Sequence, residues 1–326
     1  MRLIRPFPPS APTSFAGTGV LAGMRGSLAA LVTPFRHRTL DTAALASLCD
    51  RQVRRGTAAL VVCGSTGEAP ALLPSEVMRA VHVAAEAAAG RVPVIAGCWA
   101  PATDAAVALA GAAARSGADA LLVAPPAYSR PTQAGIIAHV RAVAHAASRP
   151  VLLYDMPGRT GVAVSDEAVA RLFERGLIEG FKDAAGDLAR PVRLRALCGA
   201  GLLQFSGDDA TAAAHLAMGG DGCISVTANL APALCAGLQA AWRGGDLAGF
   251  AQLRDLLAPF HAALFGESNP IPVKAALCLA GLCSGEVRLP LTRAGQATLD
   301  LLAPLLPGLL AAEDEAAGQP RLSLVS

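Results

Sequence analysis

A chain of 326 residues that is 53% hydrophobic and only 16% charged has ample material for a core and too little polarity for a disordered one. Its formal net charge is +2, with both signs scattered and no basic stripe interleaved with aromatics, so nothing is built to neutralise a phosphate backbone and nucleic acid is not an expected partner. The length suits one large α/β barrel with a modest addition better than two ordinary domains.

Residues 1–23 are rich in Pro, Ser and Gly and lack the uninterrupted apolar stretch of a secretory signal, so they are expected to form a flexible N-terminal tail. Met24, directly before the first strand-like run, is an alternative start. Eight short apolar runs follow: Ser27–Val32, Ala58–Cys63, Val92–Ala96, Ala120–Ala124, Val151–Tyr154, Ile178–Lys182, Leu202–Ser206 and Gly222–Val226. Between them lie segments of helical spacing, including Thr42–Arg55, Ser75–Ala89, Ala102–Ser116 and Asp166–Arg175, each long enough for a crossover helix. The runs are continuously apolar rather than alternating, as parallel strands buried on both faces should be. This pattern predicts an α/β fold, a (β/α)8 TIM barrel over residues 24–230. A doubly wound open sheet is disfavoured because no GxGxxG turn follows the first run.

After residue 230 the strand signals stop. Ala233–Trp242, Leu247–Phe265, Val273–Leu282 and Thr292–Leu302 read as helices between Gly, Pro and Ser breaks, a C-terminal helical extension over 231–312, and 313–326 reads as a frayed tail. The eight cysteines lie far apart without a CxxC pair and read as small buried thiols of a reduced cytoplasmic protein. The six histidines lack metal-ligand spacing, so no metal is expected, and no uninterrupted apolar run is long enough to call for a membrane.

Barrel enzymes place their chemistry at the C-terminal ends of the strands. The sixth run ends in Lys182. Lys and Arg together number 27 and only two are Lys, so a lysine that survives among 25 arginines asks for a reason. A primary amine can form an imine with a ketone, whereas a guanidinium cannot. The competing reading is a lysine paired with a core carboxylate such as Asp183. The other lysine, Lys274 in NPIPVKAAL, reads as structural or surface. The fifth run ends in Tyr154, a phenol able to shuttle protons; Tyr128 is the only other tyrosine, and it too follows a run. Either could instead be a core aromatic. Arg159, five residues beyond Tyr154, is a planar cation suited to a carboxylate, or an exposed loop residue without a specific partner. The second run leads into Gly64-Ser65-Thr66-Gly67-Glu68, a glycine-flanked pair of hydroxyls that reads as opening a helix, where they and the backbone N–H groups of the helix start make a carboxylate cradle; an ordinary N-capped turn explains them almost as well.

GSTGE at 64–68, RVPVIAG at 91–97, AYSRP at 127–131, LLYDMPGRTG at 152–161, FKDAAG at 181–186, FSGDDA at 205–210, GGDGCISVTAN at 219–229 and NPIPVK at 269–274 occur in order over roughly residues 24–312. By this set the chain resembles the dihydrodipicolinate synthase and N-acetylneuraminate lyase family. The resemblance implies a lyase without cofactor, in which Lys182 forms an imine with pyruvate and condenses it with a small aldehyde, aspartate semialdehyde in the synthase branch. It implies that Tyr154 is the acid/base group, and that Thr66 with its neighbouring amides, Gly64 among them, holds the pyruvate carboxylate. Arg159 matches the residue that grips the aldehyde's carboxylate, and Ile224 the one whose carbonyl faces the pyruvate site. Ser65, where the family usually has Thr, would link Tyr154 to Tyr128 in a hydroxyl relay. Tyr128 would reach in from a neighbouring subunit, which implies a homo-oligomer, a tetramer built of two dimers. The alternatives are a retro-aldolase of keto-deoxy sugar acids and a non-catalytic keto-acid-binding barrel; GRTG at 158–161 and NPIPVK favour the synthase branch. Where lysine-inhibited relatives carry polar and aromatic groups, this chain has Pro74, Val77, Pro101, Ala105 and Ala127. Little or no inhibition by lysine is therefore expected, and an inhibition curve in the low range of those relatives would overturn that.

Overall fold

The structure is a computed structural model that describes residues 19–318. Most of the tail expected over residues 1–23, and the end of the chain from residue 319, lie outside the described residues.

Each of the eight predicted runs overlaps a strand. Gly26–Ala30, Ala59–Val62, Val94–Gly97, Ala120–Val123, Val151–Asp155, Gly180–Asp183, Leu203–Ser206 and Gly222–Ser225 pair in parallel in chain order, and the eighth closes onto the first. Every residue of these strands is buried, which is the physical reason their sequence is mostly apolar without strict alternation. Alternation reappears in where the side chains go. Leu28, Ala30, Val61, Ile95, Leu122, Leu152, Tyr154, Phe205 and Ile224 belong to one cluster that fills the barrel. Ala29, Leu60, Val62, Val94, Leu121, Leu153 and Phe181 belong to another, under the surrounding helices. Leu21 and Met24, just before the first strand, join the interior cluster. A Cβ at Gly180 would stand 2.7 Å from the Leu152 side chain, so glycine there lets the interior layers close.

Among the crossover helices, Thr42–Arg54, Gln133–Ala147 and Asp166–Glu174 start at Asp41, Thr132 and Ser165 with side-chain caps, Pro74–Ala88 starts at Leu73, whose amide donates to Glu76 Oε2 at 2.9 Å, and Thr103–Arg115 starts at Ala102 without a side-chain cap. Four α-helices follow the eighth strand among the described residues: Pro232–Gly244, Leu247–Leu264, Ile271–Leu279 and Gln296–Ala316. The last of them corrects the fraying expected from residue 313. Glu313 is fully buried, pairs with Arg55 at 2.9 Å and accepts the amides of Ala233 and Leu234 at 3.0 Å each. It thereby caps the helix that opens at Pro232, and the residue at which fraying was expected to begin is part of a packed junction. Cys49, Cys63, Cys98, Cys223 and Cys235 are buried, whereas Cys278 is exposed; all eight thiols are free.

His215 carries an expected pH effect. It is buried, its Nδ1 has no hydrogen-bond partner, and burial pulls its pKa from 6.5 down to about 4. A base with a depressed folded pKa leaves the unfolded chain binding the extra proton, so its stability contribution is complete above pH 6.5 and is lost as the pH falls toward 4. At ~1.36 kcal/mol per unit the loss is about 3 kcal/mol at most. Denaturation midpoints at pH 7 and 4.5 check this: His215→Leu should lose less stability between them than the parent, and an equal loss refutes it.

Candidate active site

Tyr154 and Lys182 stand directly opposite each other on the fifth and sixth barrel strands, near their C-terminal ends. Both are buried, and the Lys182 Nζ lies 4.2 Å from the centre of the Tyr154 ring. Strand alternation sends the next residue of each pair, Asp155 and Asp183, the other way. There they meet Arg190, at 2.7 Å from Asp155 Oδ2 and 3.6 Å from Asp183 Oδ1. Arg190 also donates to Asp166 at 2.8 Å and to the Val164 carbonyl, and its guanidinium covers the Phe181 ring at 4.6 Å. Burial pushes the Asp155 and Asp183 carboxyls up, with Arg190 opposing. Asp183 is thus the partner of Arg190, and the alternative reading of Lys182 as its ion-pair partner is set aside. Among the described residues no ion pair joins Lys182 to a carboxylate. A Cβ at Gly207 would come within 3.0 Å of the Lys182 side chain, so glycine keeps space for the amine.

The segment after the second strand is a turn followed by a three-residue 3-10 helix, Ala69–Ala71, and the α-helix begins only at Pro74. This corrects the expectation that Ser65 and Thr66 open a helix; any carboxylate cradle there is a turn and not a helix N-terminus. The turn is tight. Cys63 and Glu68 are both left-handed at φ 55, a Cβ at Gly97 would run into the Cys63 carbonyl, and Thr33 donates to the Gly67 carbonyl at 2.7 Å. Thr66 is buried and accepts from Asn269 Nδ2 at 2.9 Å, while Arg159 donates to the Asn269 carbonyl at 3.0 Å. Asn269 therefore ties two residues of the sequence reading together.

A cavity of about 300 Å³ opens here, its walls including Gly64, Ser65, Trp99, Tyr154, Met156 and Arg159. Lys182, Thr66 and Ile224 are buried and do not form its wall. Ile224 lies in the interior cluster on the eighth strand. Tyr128 is not brought to the site: it is left-handed at φ 70 and 98% exposed. The Ser65 hydroxyl meets the Met156 sulfur at 3.4 Å instead of a tyrosine. Within one protomer the expected relay is not assembled.

The sequence reading did not single out Asn269, Trp99, Met156 or Arg190. Met156 follows the fifth strand directly and Trp99 lies two residues past the third, so the strand-end rule could have found them. Asn269 comes from 110 residues beyond Arg159, and no local signal announces that contact.

A closed parallel barrel with a buried primary amine against a phenol, beside a hydroxyl-bearing turn and an arginine, defines an α/β-barrel enzyme equipped for amine-based chemistry on a small carbonyl acid. Comparison with known proteins names the group. The Dihydrodipicolinate synthetase family matches residues 23–306, and the chain belongs to it. The 4-hydroxy-tetrahydrodipicolinate synthase of Rhodospirillum centenum is 48% identical over 278 residues, covering 85% of this chain and 96% of that protein. The Acidiphilium cryptum protein of the same name is 46% identical over 285 residues, 87% of this chain and 98% of its own. Among solved structures, the Acinetobacter baumannii dihydrodipicolinate synthase, chloride inhibited and complexed with pyruvate, superposes with a TM-score of 0.83 at 38% identity, covering 91% of this chain and 100% of its own.

Proposed function

We propose that this lyase condenses pyruvate with aspartate semialdehyde to give 4-hydroxy-tetrahydrodipicolinate, the product that the names of its relatives state for them. The observation that carries the reading is the buried Lys182 amine against the Tyr154 ring at the barrel mouth. Lys182 attacks the pyruvate ketone and water leaves, giving an imine. Loss of a methyl proton gives an enamine, whose carbon attacks the aldehyde. The acceptor's amine then adds at the imine carbon, closes the ring and releases Lys182. Tyr154 carries protons in these steps. Thr66 and the amides around Gly64 hold the pyruvate carboxylate, Ile224 faces the same site through its carbonyl, and Arg159 takes the acceptor's carboxylate. Arg159 already spends one donor on Asn269, which holds the fork while leaving others free.

Tyr128 takes part only when a second copy supplies it, so we place the protein in a homo-oligomer, a tetramer of two dimers, in which Ser65 joins Tyr154 to the partner's phenol. The 98% exposure of Tyr128 supports this. Tyr128→Phe is expected to lower kcat about 10²-fold, the low end for a proton-transfer group, and light scattering should show more than one protomer. A monomer with full activity would rule the arrangement out. No described helix is long and apolar enough to cross a membrane, and we assign the protein to the cytoplasm.

The deciding assay is pyruvate consumption by the purified protein, with aspartate semialdehyde or N-acetylmannosamine as acceptor. Turnover that requires aspartate semialdehyde supports the reading. Turnover with the sugar alone moves the chain to the retro-aldolase branch.

A further inference from the structure

The segment Asn269–Lys274 belongs to the C-terminal helices, yet both its polar ends reach back to the turn after the second strand. Asn269 donates to Thr66 Oγ1. That bond occupies the threonine oxygen and leaves the hydroxyl's own proton free to point at an anion. Lys274, fully buried, donates to Glu68 Oε1 and to the Glu286 carbonyl at 2.8 Å, and its ammonium lies 4.1 Å from the centre of the Phe35 ring. Glu68 Oε2 accepts the Arg288 amide at 2.9 Å. Glu68 is also the left-handed residue that ends the turn, a conformation that persists in a residue with a Cβ only where its surroundings enforce it.

We propose that Lys274 is a positioning residue: through Glu68 it holds the turn Gly64–Glu68 in the shape that presents Thr66 and its neighbouring amides to the pyruvate carboxylate. The inference rests on the reading of Thr66 as part of that cradle. A simple stabilising role explains the pair less well. Desolvation offsets most of the attraction in a buried ion pair, and apolar replacement of both partners is often neutral or stabilising, whereas removing one partner is damaging. What an apolar side chain at position 68 cannot do is accept from Lys274 and from the Arg288 amide at once. Those two bonds fix Glu68 in space, and the fixed Glu68 fixes the turn.

The test uses the full chain with Glu68→Leu/Lys274→Met together, Glu68→Gln alone and Thr66→Val, comparing melting temperature, kcat and the pyruvate KM with aspartate semialdehyde as acceptor. The double variant should melt within about 5 °C of the parent. Its pyruvate KM should rise about tenfold or more, as should that of Thr66→Val, with kcat at saturation changed far less. Glu68→Gln, which keeps the side chain's shape, should raise KM by about threefold. A folded double variant or a folded Glu68→Gln with the parent KM overturns the proposal, as does failure of both to fold, which would make the pair a folding element only. If Thr66→Val leaves KM unchanged, the cradle reading itself fails; if Thr66→Val raises KM and the Glu68 variants do not, only the present inference fails.

Discussion

Lys182→Ala is expected to reduce pyruvate turnover by at least about 10⁴-fold, the scale on which loss of a covalent nucleophile registers. The fold should survive, because Lys182 makes no ion pair among the described residues whose partner would be left buried and alone. A chemical readout separates a covalent role from a positional one. Borohydride added with pyruvate reduces an imine to a stable secondary amine, so the parent should gain a reduced pyruvate adduct and the variant none. The chain helps this experiment by having only two lysines. Lys274 is fully buried in its pair with Glu68, so the adduct should map to the Lys182 peptide alone. An adduct on Lys274, or none on the parent, would remove Lys182 from the mechanism.

The barrel was legible in the sequence because its strands are buried on both faces, and continuous apolar runs are what that burial requires. Lys182 was legible by rarity and by its place at a strand end. The ionic architecture behind the site was not. Asp155, Asp183 and Arg190 form one cluster because three separate elements place them on the outer side of the fifth and sixth strands. Read along the chain, Asp183 is only the carboxylate next to Lys182, and adjacency suggested a pairing that strand alternation forbids. The stretch from Glu313 failed the same way: mixed charge, Gly and Pro read as frayed until a helix N-terminus and Arg55 are found around Glu313. The turn at Ser65 and Thr66 was recognised by its residues but misread in its geometry, since Leu72 and Leu73 separate the short 3-10 helix from the α-helix.

Tyr154→Phe should lower kcat by about 10²- to 10⁴-fold, the range for a positioned proton-transfer group, with little change in stability. The two effects separate because of what each part of the side chain touches. The ring faces the Lys182 amine and packs in the interior cluster, and phenylalanine keeps that contact. Tyr154 lines the cavity, so removal of its hydroxyl enlarges that cavity and opens no new void in the packed core. If Tyr154 moves protons during imine formation, the borohydride-trapped adduct should accumulate more slowly in Tyr154→Phe yet reach the parent's level, as a slower route through solvent replaces the phenol. If the adduct forms at the parent's rate while turnover still falls, the phenol acts after the imine, on the enamine or at ring closure. A variant with parent turnover would mean that the protons travel by a path that does not include Tyr154, and the phenol would then be only the apolar wall on which Lys182 rests.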